Sequence, residues 1–159
     1  MNSAEQLFEA IRAGEADRVR TLVTEQPALL TATDNRGSTP LILASYLGSL
    51  PVTRTLIESG ADPNARDAAG NTALMGVSFK GYTDVAGYLL EKGADAGATN
   101  GTGATALIFA AIFNRREIAD VLIAAGADPA AKDKDGLTAA DHARNQGQNS
   151  LANHLSAKA

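Results

Sequence analysis

Four glycines spaced 33 residues apart, Gly37, Gly70, Gly103 and Gly136, limit what this chain can fold into more than any other feature. Each is followed two positions later by a threonine: Thr39, Thr72, Thr105 and Thr138. Gly60-Ala61-Asp62, Gly93-Ala94-Asp95 and Gly126-Ala127-Asp128 keep the same period. So do Leu41, Leu74 and Leu107, and likewise Leu56, Leu89, Leu122 and Leu155. A period in this range means one supersecondary unit stacked on copies of itself, because a unit this small cannot bury its own apolar face. The 159 residues therefore count units of an array, which together make one elongated domain.

Residues 34–66 show the unit's physics. Asp34-Asn35-Arg36-Gly37 has turn chemistry: the aspartate bonds nearby backbone and the glycine accepts positive φ. Thr39 can cap a helix whose first residue, Pro40, lacks only an amide that would have no partner there. That helix is expected to reach about Leu47 and to end at Gly48. A second helix begins near Pro51, puts Val52, Leu56 and Ile57 on one face, and stops at Gly60. The fold expected is all-α: about five stacked helix pairs joined by protruding turns.

The turn Asp34-Asn35-Arg36-Gly37-Ser38-Thr39-Pro40-Leu41 and the loop Gly60-Ala61-Asp62-Pro63-Asn64 resemble the ankyrin repeat, and the likeness runs along essentially the whole chain. On it, full repeats occupy 34–66, 67–99 and 100–132, while 1–33 and 133–159 resemble N- and C-terminal capping repeats. The first unit has a 34-residue offset from Gly14 to Gly48, with the extra residue in Gln26-Pro27-Ala28-Leu29-Leu30. Polar residues at both ends, Glu5, Gln6, Glu9 and Arg12 in the first helix and Arg144 to Ser150 in the last unit, suit end faces that meet water, so a free-standing protein is expected. One departure from the family is consistent. The histidine usual after the repeat leucine is Ile42, Met75, Ile108 and then Asp141, so its customary hydrogen bonds must be absent or replaced. The small units and stand-alone length are similar to those of compact bacterial ankyrin proteins.

Composition narrows the function classes. Apolar residues make up 45% and charged residues 20%, which supports a packed chain. Cysteine is absent, which removes disulfides, thiol nucleophiles and thiolate metal sites together. The net charge is −4 and the longest basic cluster is Arg115-Arg116, so no phosphate-binding face is expected, and nucleic acid is not an expected partner. No apolar run approaches the ~20 residues of a membrane span and the N-terminus has no signal-peptide pattern; a soluble, cytoplasmic monomer with no membrane partner is expected.

Motifs that suggest chemistry have plainer readings. Gly101-Thr102-Gly103-Ala104-Thr105-Ala106 matches a dinucleotide fingerprint but lies in the turn phase with no strand before it. Asp133-Lys134-Asp135-Gly136 begins like a calcium loop, yet the twelfth position, which needs a glutamate, is Arg144. His142 and His154 lack any zinc-binding spacing and read as partly solvated cap residues. Ser45, Ser49, Ser59 and Ser78 lack a nucleophile-elbow setting. No catalytic residue, cofactor or metal is therefore assigned, and the chain is not expected to be an enzyme.

Repeats can be compared with one another. Positions that hold one residue type are fixed by the scaffold, and positions that vary are free for function. The varying ones are the turn tips (Asn35, Arg36, Ala69, Thr102, Lys134), the residue before each threonine (Ser38, Asn71, Ala104), and the end of the first helix (Tyr46, Leu47, Phe79, Lys80, Ile112, Phe113). The family resemblance implies that these face a concave groove where a protein partner binds. Bulky apolar groups at three successive helix ends, opposite small turn tips, predict a mainly apolar contact with a weakly positive fringe from Arg36, Lys80 and Lys134. The competing expectation is that these rings pack on their own neighbours, with Phe79 and Phe113 touching. A designed scaffold without a natural partner, or a ligand-binding or catalytic activity on the groove, are the alternatives.

Overall fold

A computed structural model describes all 159 residues as ten α-helices and no strand. They are α1 (Ser3–Arg12), α2 (Ala16–Glu25), α3 (Pro40–Tyr46), α4 (Leu50–Glu58), α5 (Ala73–Lys80), α6 (Thr83–Glu91), α7 (Ala106–Ile112), α8 (Arg116–Ala124), α9 (Ala139–Asn145) and α10 (Asn149–Lys158). The odd-numbered helices pack in sequence as an inner row, and α2, α4, α6 and α8 pack as an outer row behind them. The array is all-α, as the repeat implies. One local feature was not foreseen: a 3₁₀ turn over Pro27–Thr31 absorbs the extra residue of the first unit.

The repeated threonines cap the inner helices. Thr39, Thr72, Thr105 and Thr138 accept hydrogen bonds at Oγ1 from the amides of Ile42, Met75, Ile108 and Asp141, at 3.2–3.4 Å. Each such cap is worth about 1 kcal/mol. The repeated leucines supply the core. Leu41, Leu74 and Leu107 of the inner row, Leu56, Leu89 and Leu122 of the outer row, and Leu155 of α10 are all buried. The family histidine's place is filled by apolar packing at Ile42, Met75 and Ile108, all buried. At Met75 the sulfur also accepts from the Thr72 amide, and at Asp141 a carboxylate oxygen accepts from the Thr138 amide.

The turns are built by one side-chain oxygen. Asp34 Oδ1 accepts from the amides of Arg36 and Ser38 at 2.9 and 3.0 Å, and Asp67 Oδ1 from those of Ala69 and Asn71 at 2.9 Å. Asp133 Oδ1 does the same for Asp135 and Leu137 at 3.0 Å. Asn100, which breaks the aspartate series, reproduces it with its amide oxygen, accepting from Thr102 and Ala104 at 3.0 Å. Successive tips are then tied together: Ala68 N–H donates to Arg36 C=O, Gly101 N–H to Ala69 C=O, and Lys134 N–H to Thr102 C=O, at 3.1–3.4 Å.

That tip-to-tip ladder explains the turn glycines. Gly37, Gly70, Gly103 and Gly136 all have φ near +80° (76–84°), but only the first three face a following turn. A Cβ on Gly103 would sit 2.9 Å from the Lys134 amide nitrogen, whereas one on Gly136, at the last turn, meets nothing within 4 Å. Gly136→Ala should cost about 1 kcal/mol from the left-handed backbone alone. Gly103→Ala should cost visibly more, because the ladder must also open. Urea midpoints of the two variants check the order.

A second stability test concerns Thr53 in α4, whose Oγ1 is buried without any hydrogen-bond partner. Alanine stands at the corresponding positions 86, 119 and 152. Thr53→Val, which removes the orphaned hydroxyl and keeps the shape, should raise stability by about 1 kcal/mol in the same measurement.

Candidate functional site: the groove between helices and turns

The inner helix row and the projecting turns enclose a groove of about 650 Å³. Asn35, Arg36 and Ser38 of the first turn and Asn71 of the second line one wall. Tyr46, Leu47 and Phe79, at the ends of α3 and α5, line the other. Seven of the candidate residues thus meet in one place.

The rings form a ladder across three repeats. Tyr46 and Phe79 stack with centroids 6.1 Å apart and planes 8° from parallel. Phe113 meets Phe79 edge-on at 4.4 Å and 80°. Lys80 Nζ lies 5.1 Å from the Tyr46 ring centroid, so its charge rests on the ladder's first ring. The expectation that Phe79 and Phe113 touch is met, and the stack is still open to solvent: Tyr46 is 38%, Leu47 45% and Phe113 40% exposed. These are the large apolar residues of the chain most open to water apart from Met1.

Other candidates are placed differently. Ala104 is only 6% exposed, so its side chain offers no surface to a partner; the short methyl lies beneath the turn that Asn100 closes. This corrects the expectation for that residue. Ile112 is half-buried against the core. Ala69, Thr102 and Lys134 are exposed on the turn tips, where their backbones form the ladder, and lie outside the main groove.

Four groove residues escaped the comparison of helix ends. Leu43, Gly76 and Phe109 line the groove and recur at a 33-residue spacing one helical turn earlier, and Arg12 reaches its rim from the last turn of α1. Following that register along the inner helices would have found the first three.

Residues weighed for chemistry are engaged locally. The Ser45 and Ser78 hydroxyls are buried and donate to the Leu41 and Leu74 carbonyls at 2.8 and 2.7 Å. Ser49 Oγ caps α4, and Ser59 Oγ donates to Thr55 C=O. His142 Nε2 lies 2.6 Å from Asp133 Oδ2. His154 Nε2 lies 2.5 Å from Asp120 Oδ1, and its Nδ1 is 3.0 Å from the Arg116 guanidinium. Donation from Nε2–H to Asp120 leaves Nδ1 to accept from Arg116. No three His, Asp or Glu side chains gather as a metal site would require, and no helix is long and apolar enough to cross a membrane.

A stack of helix pairs that holds an exposed apolar strip beside projecting turns defines a repeat solenoid built to present a groove. The comparisons give its family. A profile for "Ankyrin repeats (3 copies)" matches residues 65–133 and one for "Ankyrin repeats (many copies)" matches 22–75, so together they span 22–133. The chain belongs to the ankyrin repeat proteins, whose repeats are in general protein–protein interaction modules.

Among curated relatives, the chain is 34% identical over 58 residues to "Ankyrin repeat and SAM domain-containing protein 6" of Rattus norvegicus, which is 36% of this chain and 7% of that protein. It is 39% identical over 59 residues to "Palmitoyltransferase akr1" of Schizosaccharomyces pombe, 37% of this chain and 9% of that one. The matched stretches are thus under a tenth of either relative.

Two carboxyls in the last unit are held below the usual aspartate range. In Asp133 the main cause is the hydrogen bond from His142, with the Leu137 amide adding to it; in Asp141 it is the Thr138 amide and hydroxyl. A lowered folded pKa means the unfolded chain binds more protons in acid, so this stability is present above the unfolded value of about 3.9 and lost as pH falls through the folded one. Asp133→Asn should keep the turn, since Asn100 builds the same one, and should flatten the loss of thermal stability between about pH 4 and pH 2. A melting series across that interval is the check.

Proposed function

We infer that the protein is a non-enzymatic interaction module that holds a protein partner in this groove. The observation that carries the inference is the open aromatic ladder of Tyr46, Phe79 and Phe113. It spans three repeats and keeps large apolar area in water at a free-energy cost that a packed scaffold does not require. An aromatic ring buries about 150–250 Å², so two rings covered by a partner supply several kcal/mol before association costs at about 25 cal/mol per Å². The repeat boundaries at 34, 67 and 100 serve this role by setting one ring-bearing helix end per unit, while the unit from 133 ends its inner helix on Asn145 and carries no ring. Nucleic acid is a poor fit, because the net charge is −4 and the cations are scattered. The palmitoyltransferase relative matches over 9% of its own length, and no transferase activity is carried over from its name. A monomeric, cytoplasmic protein suits this role.

The test is a Phe79→Ala/Phe113→Ala double variant. It should stay folded, with a stability loss of about 1–3 kcal/mol from the broken ring pair. In a pull-down from the native organism, partners retained by the wild type should disappear. A partner set that is unchanged at unchanged stability would remove the groove from consideration.

A further inference from the structure

The third turn departs from the other three at each of its first three positions. It opens on Asn100 where they open on Asp34, Asp67 and Asp133, and only here is the next residue a glycine, Gly101. No other asparagine of the chain precedes a glycine. The third position, Thr102, brings a hydroxyl that Arg36, Ala69 and Asp135 do not offer.

These residues surround one side-chain amide. Asn100 Oδ1 accepts from the amides of Thr102 and Ala104 at 3.0 Å and from the Thr102 hydroxyl at 2.9 Å. Three donors on one carbonyl oxygen draw charge from Cγ and stabilise the oxyanion that forms when a nucleophile adds there. The next nitrogen along the chain belongs to Gly101, which has no Cβ to hinder its approach. Gly101 and Thr102 are exposed at the turn tip, where water and hydroxide reach them. One bond opposes the attack: Gly101 N–H donates to Ala69 C=O at 3.1 Å, so this rung of the ladder must open first.

We propose that Asn100 is a site of spontaneous modification, where the Gly101 nitrogen displaces the side-chain amide and the residue becomes an acid. Hydroxide takes the Gly101 amide proton and the nitrogen bonds to Cγ. The Cγ–Nδ2 bond then breaks, and Nδ2 takes a proton from water and leaves as ammonia. Water next opens the cyclic imide. Cleavage of the new Cγ–N bond gives aspartate at position 100, whereas cleavage of the original peptide bond routes the main chain through the side chain as isoaspartate. Aspartate supplies the same acceptor as Asp34, Asp67 and Asp133, so the turn accommodates it. Its cost is one tie between units: Asn100 Nδ2 donates to Asn71 Oδ1 at 2.8 Å, and a carboxylate has no hydrogen to replace it. Asn71 lines the groove, so the conversion puts a negative charge behind that wall and frees the Asn71 amide to turn. Isoaspartate lengthens the main chain inside the turn and breaks the double acceptor.

The experiment incubates the full chain at neutral and at alkaline pH and follows each asparagine by peptide mapping with mass spectrometry. Asn100 should convert well ahead of Asn35, Asn64, Asn71 and Asn114, and faster as hydroxide rises. Thr102→Val removes the third donor at an exposed position and should slow conversion about tenfold, less than in an enzyme because the tip is open to water. Gly101→Ala should also slow it, through hindrance at the attacking nitrogen. Asn100→Asp should melt close to the wild type and shift the side-chain amide resonances of Asn71. A folded chain that keeps Asn100 intact while the urea-unfolded chain converts it overturns the proposal. Conversion indifferent to Thr102→Val overturns it too, because the Asn-Gly pair alone would then set the rate. A large fall in the melting temperature of Asn100→Asp would overturn the fit of the aspartate product.

Discussion

One acceptor holds this architecture together: a side-chain oxygen at the start of each turn that takes two backbone amides at once. Asp34, Asp67, Asn100 and Asp133 each do this within about 0.1 Å of the same geometry. Without it the turn backbone would have unpaired amides and the tips could not project in register. With it, each tip hands a carbonyl to the next tip's amide, and the threonine that follows starts an inner helix at a fixed angle. The wall of the groove opposite the rings is the product of that bond at Asp34 and Asp67.

The ladder of rings shows how positions that brace the scaffold can also stay open to solvent. Phe79 packs on Tyr46 from one side and meets Phe113 edge-on from the other, an arrangement worth about 0.5–1.5 kcal/mol per pair beyond burial. The rings thus hold successive inner helices together, and the outer members of the stack remain more than a third exposed. From the sequence, stacking with neighbours and staying open to solvent are rival expectations; the geometry makes them compatible. Rings already braced by one another lose little rotamer freedom when a partner covers them.

Much of this was legible because the repeat multiplies each signal. A single Gly-x-Thr is weak, but four at one spacing fix the turn, the cap and the helix start, and the helices follow within a residue or two. What stayed hidden depended on contacts between units. Asn100 looks like a break in the series until its amide oxygen is seen accepting the same two amides. Ala104 varies among repeats as freely as Ser38 and Asn71, yet is buried, because variation alone does not distinguish a small covered site from an open one. The Asp120–His154–Arg116 cluster joins residues more than thirty positions apart through packing of α8 near α10. Gly76 in α5 and Gly87 in α6 both lie inside helices without a positive φ, so the turn chemistry that explains Gly70 does not reach them.

The central claim is that a partner lies against the rings and not against the outer helices. Benzoylphenylalanine placed at Tyr46, and separately at Tyr88 on α6 of the outer row, tests it most directly by photocrosslinking in the cell that makes the protein. The account predicts a discrete covalent adduct from position 46 and none from position 88. Adducts from 88 with none from 46 would contradict it, and would move the binding surface to the opposite side of the array.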